Sequence, residues 1–522
     1  MIFYDCPLRI EICRKSFLRH LLAYRICQQG NLYLLLFVIG SSLTSGQKIC
    51  AQTTPSTKEE KVSPWGTFRA NSQRTGNIDG KSGPKVPQVD WFYRTQEHCI
   101  ASPVIAGETI LFPAVGGFNR PVLLAFSLLP NSSNSASTPL QQNVKPLWTK
   151  STPTFRLPLV CSPAVVGDYL ILGDGMHQTD GGMVQCLPIK EGFSHWSYAV
   201  PGKLVHLEGS PTVLGKNVFV GAGSAGVICL EWQNATYNQK QYSLTQLETL
   251  QKSRWQQLQD QYKIQKKKDP DFAVPPGEDQ LVGPAPKMLW QMGKERWHVD
   301  APINASDNRV FVCTAYLDKE MLGEKAIHCL DAQTGKIIWS TPLKYNPWGG
   351  ATIVGDTVLV PTSSIGYYYQ SLKGCKGELY ALDRKTGKVK WKKDYPGGLL
   401  AAVAAQDGLA VFTATDGKVR AVTVQEGERR LLYDAKSPFF APPAIVNRVA
   451  YVGDTSGIIH ALDLKSGQRI WQLSLKDQPI QSPGMIYGGL VVHGGKIYGA
   501  TSNLEGPNAQ KSTAVFCISE KK

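Results

Sequence analysis

Hydrophobic and polar residues alternate along this chain in short runs that break at one recurring turn motif. The pattern is clearest in three segments, 327–339, 379–391 and 459–471. Each segment starts with alternating apolar residues, breaks at Asp-x-x-(Thr/Ser)-Gly and resumes as a short run that ends in Trp. Alternation on both sides of such a turn predicts a β-hairpin. Because the hairpin recurs about every forty to fifty residues, the sequence predicts an all-β repeat architecture.

The conserved spacing of the turn motif within the chain has a structural explanation. Its glycine can adopt the positive φ that a tight turn needs, and its aspartate can accept hydrogen bonds from the turn's own amides. The aspartates of the three clear copies are Asp331, Asp383 and Asp463. Since the same residue stands at the same place in every copy, we interpret these aspartates as turn residues and not as catalytic groups.

A second landmark precedes each hairpin: a small residue, then Pro, then a hydrophobic strand. It occurs at 102–103, 162–163, 210–211, 301–302, 442–443 and 482–483, with weaker versions at 350–351 and 401–402. These landmarks give eight repeat starts. Only seven closing aromatic residues follow a start, whereas Trp91 lies upstream of the first one.

A closed ring accounts for this mismatch. If the strand around Trp91 pairs with the strand at 515–518, the N-terminal segment supplies the outermost strand of the last repeat, and no long sheet edge stays exposed. The sequence therefore predicts an eight-bladed β-propeller of four-stranded antiparallel blades, closed by an N-terminal strand and carrying one helical insertion.

The repeated Ala-Leu-Asp-x-x-Thr-Gly-x-x-x-Trp motif resembles the repeat of the PQQ-like (pyrroloquinoline-quinone type) propeller family, and the opening segment 65–76 resembles the lead-in of such proteins. The family includes quinoprotein dehydrogenases and the BamB-like assembly lipoproteins of the outer membrane. The resemblance covers about residues 65–520 and implies an eight-bladed propeller. It does not imply one activity, because the repeat is scaffold.

We predict three parts for the chain: a signal peptide or N-terminal anchor at 1–51, a linker at 52–63 and the propeller at 64–522. The apolar segment 31–40 is too short for a comfortable membrane span, follows basic residues and is followed by a small-residue end at 49–51, as in secretory leaders. We therefore expect an exported, periplasmic or cell-envelope protein, with peripheral or N-terminally anchored membrane association possible.

Charge and cysteine content exclude other classes. The formal net charge is +15, but the longest basic run is 266–268, which acidic residues flank, so we expect no nucleic-acid groove. Cys186, Cys229, Cys329 and Cys517 occupy the repeat position that alanine holds in other copies, which indicates small buried side chains. No Cys-x-x-Cys motif occurs, so neither a disulfide framework nor a zinc–cysteine site is expected. We expect a monomeric propeller.

About fifty-five residues, 233–287, are inserted in the third blade. Leu247, Leu250 and Leu258 recur at helical spacings among polar residues, which predicts an amphipathic helix. Two interpretations stay open: the helix covers apolar surface on the side of the propeller, or it is a docking arm for another protein in which Trp255 takes part.

First strands of all blades converge on the propeller axis, so the residues just before each repeat start are predicted to line one mouth of the channel. His206 and Glu208, and likewise His298 and Asp300, lie two apart on a predicted strand, hence on one face. There a carboxylate could orient an imidazole, both could bind a metal, or the pairs could simply cap turns. The predicted lining is Arg156, His206, Glu208, Trp297, His298, Asp300, Trp348, Phe439, Phe440 and Gln481, together with His98 and Cys99.

The resemblance to quinoprotein dehydrogenases implies a vicinal Cys-Cys disulfide, a tryptophan floor, a calcium ion held by Glu, Asn and Asp, and a catalytic Asp. The chain has no adjacent cysteines and no Cys-x-x-Cys-His haem motif, and only Trp297 or Trp348 could serve as the floor. We therefore favour a non-catalytic interaction platform that binds an envelope protein or peptide, with no cofactor, no resident metal and no catalytic residue. The alternatives are a PQQ-dependent dehydrogenase that uses PQQ with calcium, and a propeller that binds a carbohydrate or small ligand through its aromatic residues.

Overall fold

The computed structural model describes residues 68, 77–116, 120–129, 142–177, 179–482 and 484–521. The predicted leader and linker lie outside these residues. Within them the chain forms eight antiparallel sheets and one long α-helix, as predicted.

The strands in chain order are β1 (Pro87–Thr95), β2 (Val104–Ala106), β3 (Thr109–Ala114), β4 (Val122–Ser127), β5 (Gln142–Asn143), β6 (Trp148–Lys150), β7 (Ala164–Val166), β8 (Tyr169–Gly173), β9 (Gly182–Pro188), β10 (Trp196–Val200), β11 (Thr212–Leu214), β12 (Asn217–Gly221), β13 (Val227–Tyr237), β14 (Lys240–Ser243), β15 (Ala285–Met292), β16 (Asn304–Ser306) and β17 (Arg309–Leu317). They continue as β18 (Leu322–Asp331), β19 (Ile337–Pro342), β20 (Thr352–Val354), β21 (Thr357–Ser363), β22 (Gly377–Asp383), β23 (Val389–Tyr395), β24 (Ala404–Gln406), β25 (Leu409–Thr413), β26 (Lys418–Thr423), β27 (Arg429–Asp434), β28 (Ala444–Val446), β29 (Val449–Gly453), β30 (Ile458–Asp463), β31 (Arg469–Ser474), β32 (Val491–His493), β33 (Lys496–Ala500) and β34 (Thr513–Glu520). The helix α1 spans Leu244–Lys268, and short 3₁₀ helices span Glu278–Gln280, Tyr369–Ser371 and Leu475–Asp477.

Seven blades follow one another in the chain. Their strand orders from the first strand outward are β2-β3-β4-β6, β7-β8-β9-β10, β11-β12-β13-β15, β16-β17-β18-β19, β20-β21-β22-β23, β24-β25-β26-β27 and β28-β29-β30-β31. The eighth blade is β32-β33-β34-β1, in which the last strand of the chain pairs with the first. In this antiparallel pair Trp91 is opposite Cys517 and Tyr93 is opposite Val515. The predicted closure of the ring is confirmed, and β5 adds a fifth, parallel strand beside β1.

The turn motif and the closing Trp together join neighbouring blades. Asp383 Oδ1 accepts hydrogen bonds from the amides of Lys385 (3.1 Å) and Thr386 (2.9 Å), so the predicted turn role is observed. The indole of Trp391, which closes the fifth blade, donates to the carbonyl of Val424 in the turn of the sixth blade (3.0 Å). The glycine of that turn, Gly427, has φ +68° and no side chain to hold the indole away. The repeat thus encodes contacts between blades as well as hairpins.

The cysteines lie at the position that faces the closing Trp. Cys186 is opposite Trp196, and Cys329 is opposite Trp339, while Ala381 holds the same place opposite Trp391 in another blade. All eight cysteines in the described part of the chain are free and buried. They are small core residues, as the sequence indicated.

The repeat starts are joined to one another around the axis. The hydroxyl of Ser162 donates to the carbonyl of Ser102 (2.8 Å), and its amide donates to the hydroxyl of Ser210 (2.9 Å). The amide of Gly489 donates to the Ser102 hydroxyl (2.7 Å) in the same way. Gly489 therefore holds the place of the eighth start, and β32 begins shortly after it. The start predicted at 482–483 was wrong, because the eighth blade uses a glycine pair without proline.

The insertion in the third blade consists of the extended end of β13, the strand β14 and the helix α1. Ser243 and Gln246 cap the helix reciprocally, since the Ser243 hydroxyl accepts from the Gln246 amide and the Gln246 side chain accepts from the Ser243 amide. Leu244 and Leu247 join the core between the second and third blades. The Trp255 ring lies 5.1 Å from the ring of Phe193 in the second blade. This packing favours the interpretation that the helix covers the side of the propeller.

Candidate functional site

The connections that lead into each blade emerge on the same face of the propeller as the connections between its second and third strands, because successive strands are antiparallel. We call this the upper face. It carries the residues that the sequence placed at the channel mouth, and it also carries longer loops such as 364–376 and 501–512. The structure divides these residues into one ionisable group and one apolar group.

The ionisable group centres on Asp300, which bonds two histidines at once. His206 Nε2 lies 3.0 Å from Asp300 Oδ1, and His298 Nε2 lies 2.8 Å from Asp300 Oδ2. Both imidazoles are fully buried; the Nδ1 atom of His298 has no hydrogen-bond partner among the described residues, whereas the His206 ring also interacts with the Thr179 backbone. The predicted pairing of His298 with Asp300 is therefore present. His206 lies in a different connection between blades, yet it bonds the same Asp300 carboxylate. Its spacing in the sequence had suggested Glu208 as the partner.

Two further residues complete this group. The ring of His177, from the loop between β8 and β9, lies 5.3 Å from the ring of His206 and 5.7 Å from that of His298. The Glu208 carboxylate accepts a hydrogen bond from the backbone amide of His177. All of these residues lie in extended connections and loops and not in strands. The prediction that the two histidine–carboxylate pairs lie on strands was wrong. The two members of each pair nevertheless project to the same side of the chain.

Charges within the group are strongly coupled. Burial alone disfavours the charged imidazolium, but the Asp300 carboxylate raises the pKa of His206 to about 9. Burial and the negative charge of Asp300 raise the pKa of Glu208 to about 7. Burial opposes ionisation of Asp300, yet His298 and His206 lower the pKa of Asp300 below its usual range. At neutral pH the group therefore holds an ionised Asp300 beside a protonated His206.

The apolar group fills the side of the upper face that the fifth to eighth blades form. Leu400, Phe440 and Met485 are buried together, and Trp348 and Tyr369 pack against them. The Trp348 indole donates to the carbonyl of Ile365 (3.0 Å) in the loop between β21 and β22. This loop reaches the eighth blade, where Glu505 accepts hydrogen bonds from the Tyr369 amide (3.0 Å) and the Tyr487 hydroxyl (2.7 Å). The protein's own side chains thus occupy this part of the mouth.

The remaining predicted lining residues lie elsewhere. Trp297 is fully buried, stacks on His328 with a ring separation of 4.1 Å, and also contacts Arg296 and the backbone of Gly293. Phe439 is buried in the core between the sixth and seventh blades. A flat quinone needs an exposed aromatic face, and Trp297 offers none. Trp297 therefore does not provide the tryptophan floor that the resemblance implied.

Arg156 and Gln481 are exposed and contact neither group. Gln481 does not directly precede a repeat start, because the eighth start lies at 488–489 and not at 482–483. Sequence reasoning also missed His177. Its Gly173-Asp-Gly-Met-His177 segment was visible in the sequence but is of a kind common in propeller loops, and spacing alone does not show that the loop folds toward His206.

No helix in the described part of the chain is both long and apolar enough to cross a membrane. A family model described as outer membrane protein assembly factor BamB matches residues 88–256, 284–373 and 346–506. The chain belongs to this family. The match covers most of the propeller and leaves out residues 257–283, which lie within the insertion of the third blade.

Individual relatives match shorter stretches. The outer membrane protein assembly factor BamB of Yersinia pestis is 26% identical over 162 residues, 28% of this chain and 38% of that protein. BamB of Moranella endobia is 23% identical over 182 residues, 32% of this chain and 42% of that protein. This chain thus spans about two fifths of the length of these relatives. A serine/threonine-protein kinase, AfsK of Streptomyces griseus, is 31% identical over 122 residues, 15% of its length.

Solved structures share the fold at low identity. BamB of Moraxella catarrhalis has a TM-score of 0.51 and 13% identity, covering 83% of this chain and 97% of that one. A europium-containing methanol dehydrogenase has a TM-score of 0.54 and 12% identity, covering 87% and 98%. Because a BamB and a methanol dehydrogenase match about equally well, these neighbours establish the fold alone.

Proposed function

We propose that the protein is an exported, non-catalytic propeller that binds other proteins of the cell envelope, and that it takes part in the assembly of outer-membrane proteins. The observation that carries this proposal is the family match, which extends over the repeats from residue 88 to residue 506. The relatives from Yersinia pestis and Moranella endobia are named as outer membrane protein assembly factors. The leader predicted at 1–51 would provide export.

The geometry of the upper face supports binding more than catalysis. The apolar group and the loop 364–376 fill the side of the mouth that the fifth to eighth blades form, and exposed side chains surround them. Met321, Tyr368 and Leu504 are 79%, 54% and 45% exposed in loops of the fourth, fifth and eighth blades. Rigid loops with apolar side chains around a rim are suited to contacts with another protein.

Complementation tests the proposal. The full chain would be expressed in a Gram-negative host that lacks its own BamB, and the amount of folded outer-membrane β-barrel protein would be measured. We expect the chain to raise that amount, and Met321→Asp with Leu504→Asp to abolish the gain. Ile470→Asp is the matched control, because Ile470 is 48% exposed on an outer strand of the seventh blade.

Two results would contradict the proposal. The first is an amount of folded barrel protein that does not change when the exported chain is present. The second is reduction of an electron-accepting dye by an alcohol or sugar when the purified chain is supplied with PQQ and calcium, which would favour the dehydrogenase alternative.

A further inference from the structure

The ionisable group of the upper face has the composition and spacing of a metal centre. One potential ligand atom from each of His177, His206, His298 and Asp300 lies within 4.8 Å of every other. In a tetrahedral zinc site with bonds of about 2.0–2.1 Å, neighbouring ligand atoms are about 3.3 Å apart. The group is therefore close to that arrangement, and small movements would complete it.

Burial gives a second, independent reason. His206 and His298 are fully buried, and the Nδ1 atom of His298 has no hydrogen-bond partner among the described residues. A buried polar atom left without a partner destabilises the fold. The bonds to Asp300 use only one nitrogen of His206 and one of His298. A bound cation would give further ring nitrogen atoms of the group a partner.

We propose that His177, His206, His298 and Asp300 bind a divalent transition-metal ion, with Zn²⁺ as the best fit. Imidazole ligands favour zinc and similar ions, whereas calcium and magnesium require oxygen ligands. Four protein ligands fill a tetrahedral zinc site and leave no position for substrate, which is typical of a structural centre. This inference does not depend on the proposed function.

The ligands come from three separate connections, so the ion would join them. His177 belongs to the loop between β8 and β9, His206 to the connection from the second blade to the third, and His298 with Asp300 to the next connection. Gly175 lets the first loop approach, since a side chain there would meet the His206 backbone at 3.2 Å. The metal would fix the loop of His177 on the upper face.

The test uses the full mature chain after treatment with a chelator. Co²⁺ titration should produce the strong visible absorption of a tetrahedral site, and Zn²⁺ should displace Co²⁺ at one ion per chain. His177→Ala is the main variant because His177 is partly exposed on a loop and its loss spares the core. We expect it to weaken zinc binding about 100-fold or more while the melting temperature of the metal-free chain stays unchanged.

His460→Ala is the matched control. His460 is also buried and bonds a buried aspartate, with Nε2 3.2 Å from Asp454 Oδ2, but it belongs to no group of potential ligands found among the described residues. It should lower stability and leave zinc binding intact. The proposal is overturned if the wild-type chain gives no tetrahedral Co²⁺ spectrum, or if His177→Ala binds zinc as tightly as the wild type.

Discussion

Replacing Gly427 with alanine measures how strongly the turn of one blade is coupled to the closing Trp of the blade before it. Gly427 has φ +68°, and a Cβ atom built on it would lie 2.8 Å from the Trp391 ring. A non-glycine residue in the left-handed region costs about 1 kcal/mol. Forcing a methyl group into a packed site adds about 1–3 kcal/mol. We expect Gly427→Ala to lower the free energy of unfolding by about 2–4 kcal/mol.

Gly408 provides the control within the same blade. Its φ is +75°, but a Cβ atom there would meet nothing within 4 Å. Gly408→Ala should therefore lose only the backbone contribution, about 1 kcal/mol. The difference between the two variants isolates the contact with Trp391 from the strain of the turn.

The free energies of unfolding would be measured by urea denaturation, and a change in midpoint at an unchanged m-value would report the change in stability. Trp391→Leu, which removes the ring that the new methyl group meets, should make the additional cost of Gly427→Ala disappear, and the double-mutant cycle would give the coupling directly. Equal losses in the two glycine variants, or a cost at Gly427 that persists without the indole, would refute the view that the turn glycine exists to admit the Trp.

Three other substitutions probe the fold. Phe92→Ala removes a buried ring from β1 and should lower the free energy of unfolding by about 3–5 kcal/mol; an unchanged urea midpoint would contradict a role of β1 in closing the ring. Ser243→Ala removes the N-cap of α1 and should cost about 1 kcal/mol, measured in the same way, and a neutral result would mean that the cap is not required. Burial and the charge of Arg296 lower the pKa of His328 to about 3. They do so although the partly exposed Glu324 carboxylate lies 3.5 Å away. Because the unfolded chain takes up this proton near pH 6.5 and the folded chain does not, the free energy of unfolding should fall from about pH 6.5 toward pH 3 by up to about 1.4 kcal/mol per pH unit. His328→Gln should show a flatter dependence on pH, and identical pH profiles of the variant and the wild type would contradict this role of His328.

The blade count and the ring closure could be predicted because both depend on local signals that recur. Asp and Gly recur at fixed offsets in the turns at 331–335, 383–387 and 463–467, and every outer strand contains an aromatic residue, although these strands continue beyond the Trp at which they were predicted to end. Trp91 stood out because it had the ending of a repeat without its beginning. The position of the eighth repeat start was predicted wrongly because that start lacks the recurring signal. Gly489 makes the same contact with Ser102 that a serine makes elsewhere, but a glycine pair lacks the proline that marked the other starts.

The site was predicted in part. His206, His298 and Asp300 lie together on the upper face because their distance from a repeat start sets their height in the blade; their role in binding stays a prediction. The pairing of His298 with Asp300 followed from their spacing, but the partner of His206 could not be predicted, since it depends on how separate connections pack together. Aromatic residues before the starts were expected to face the mouth. Phe440 does so within the apolar group, whereas Phe439 points to the core between the sixth and seventh blades, because consecutive residues of an extended segment project to opposite sides.

Departures from the repeat are where a ring of similar blades can acquire a function. The repeated residues are already used: the turn aspartates bond their own amides, the closing Trp residues bond the next blade, and the Ser hydroxyls bond around the axis. They have little capacity left for a ligand. His177, the loop 364–376 and the insertion 233–287 repeat nowhere else in the chain, and two of them lie on the upper face. A variant in the repeat should therefore change stability first, whereas a variant in these loops should change binding while the propeller stays folded.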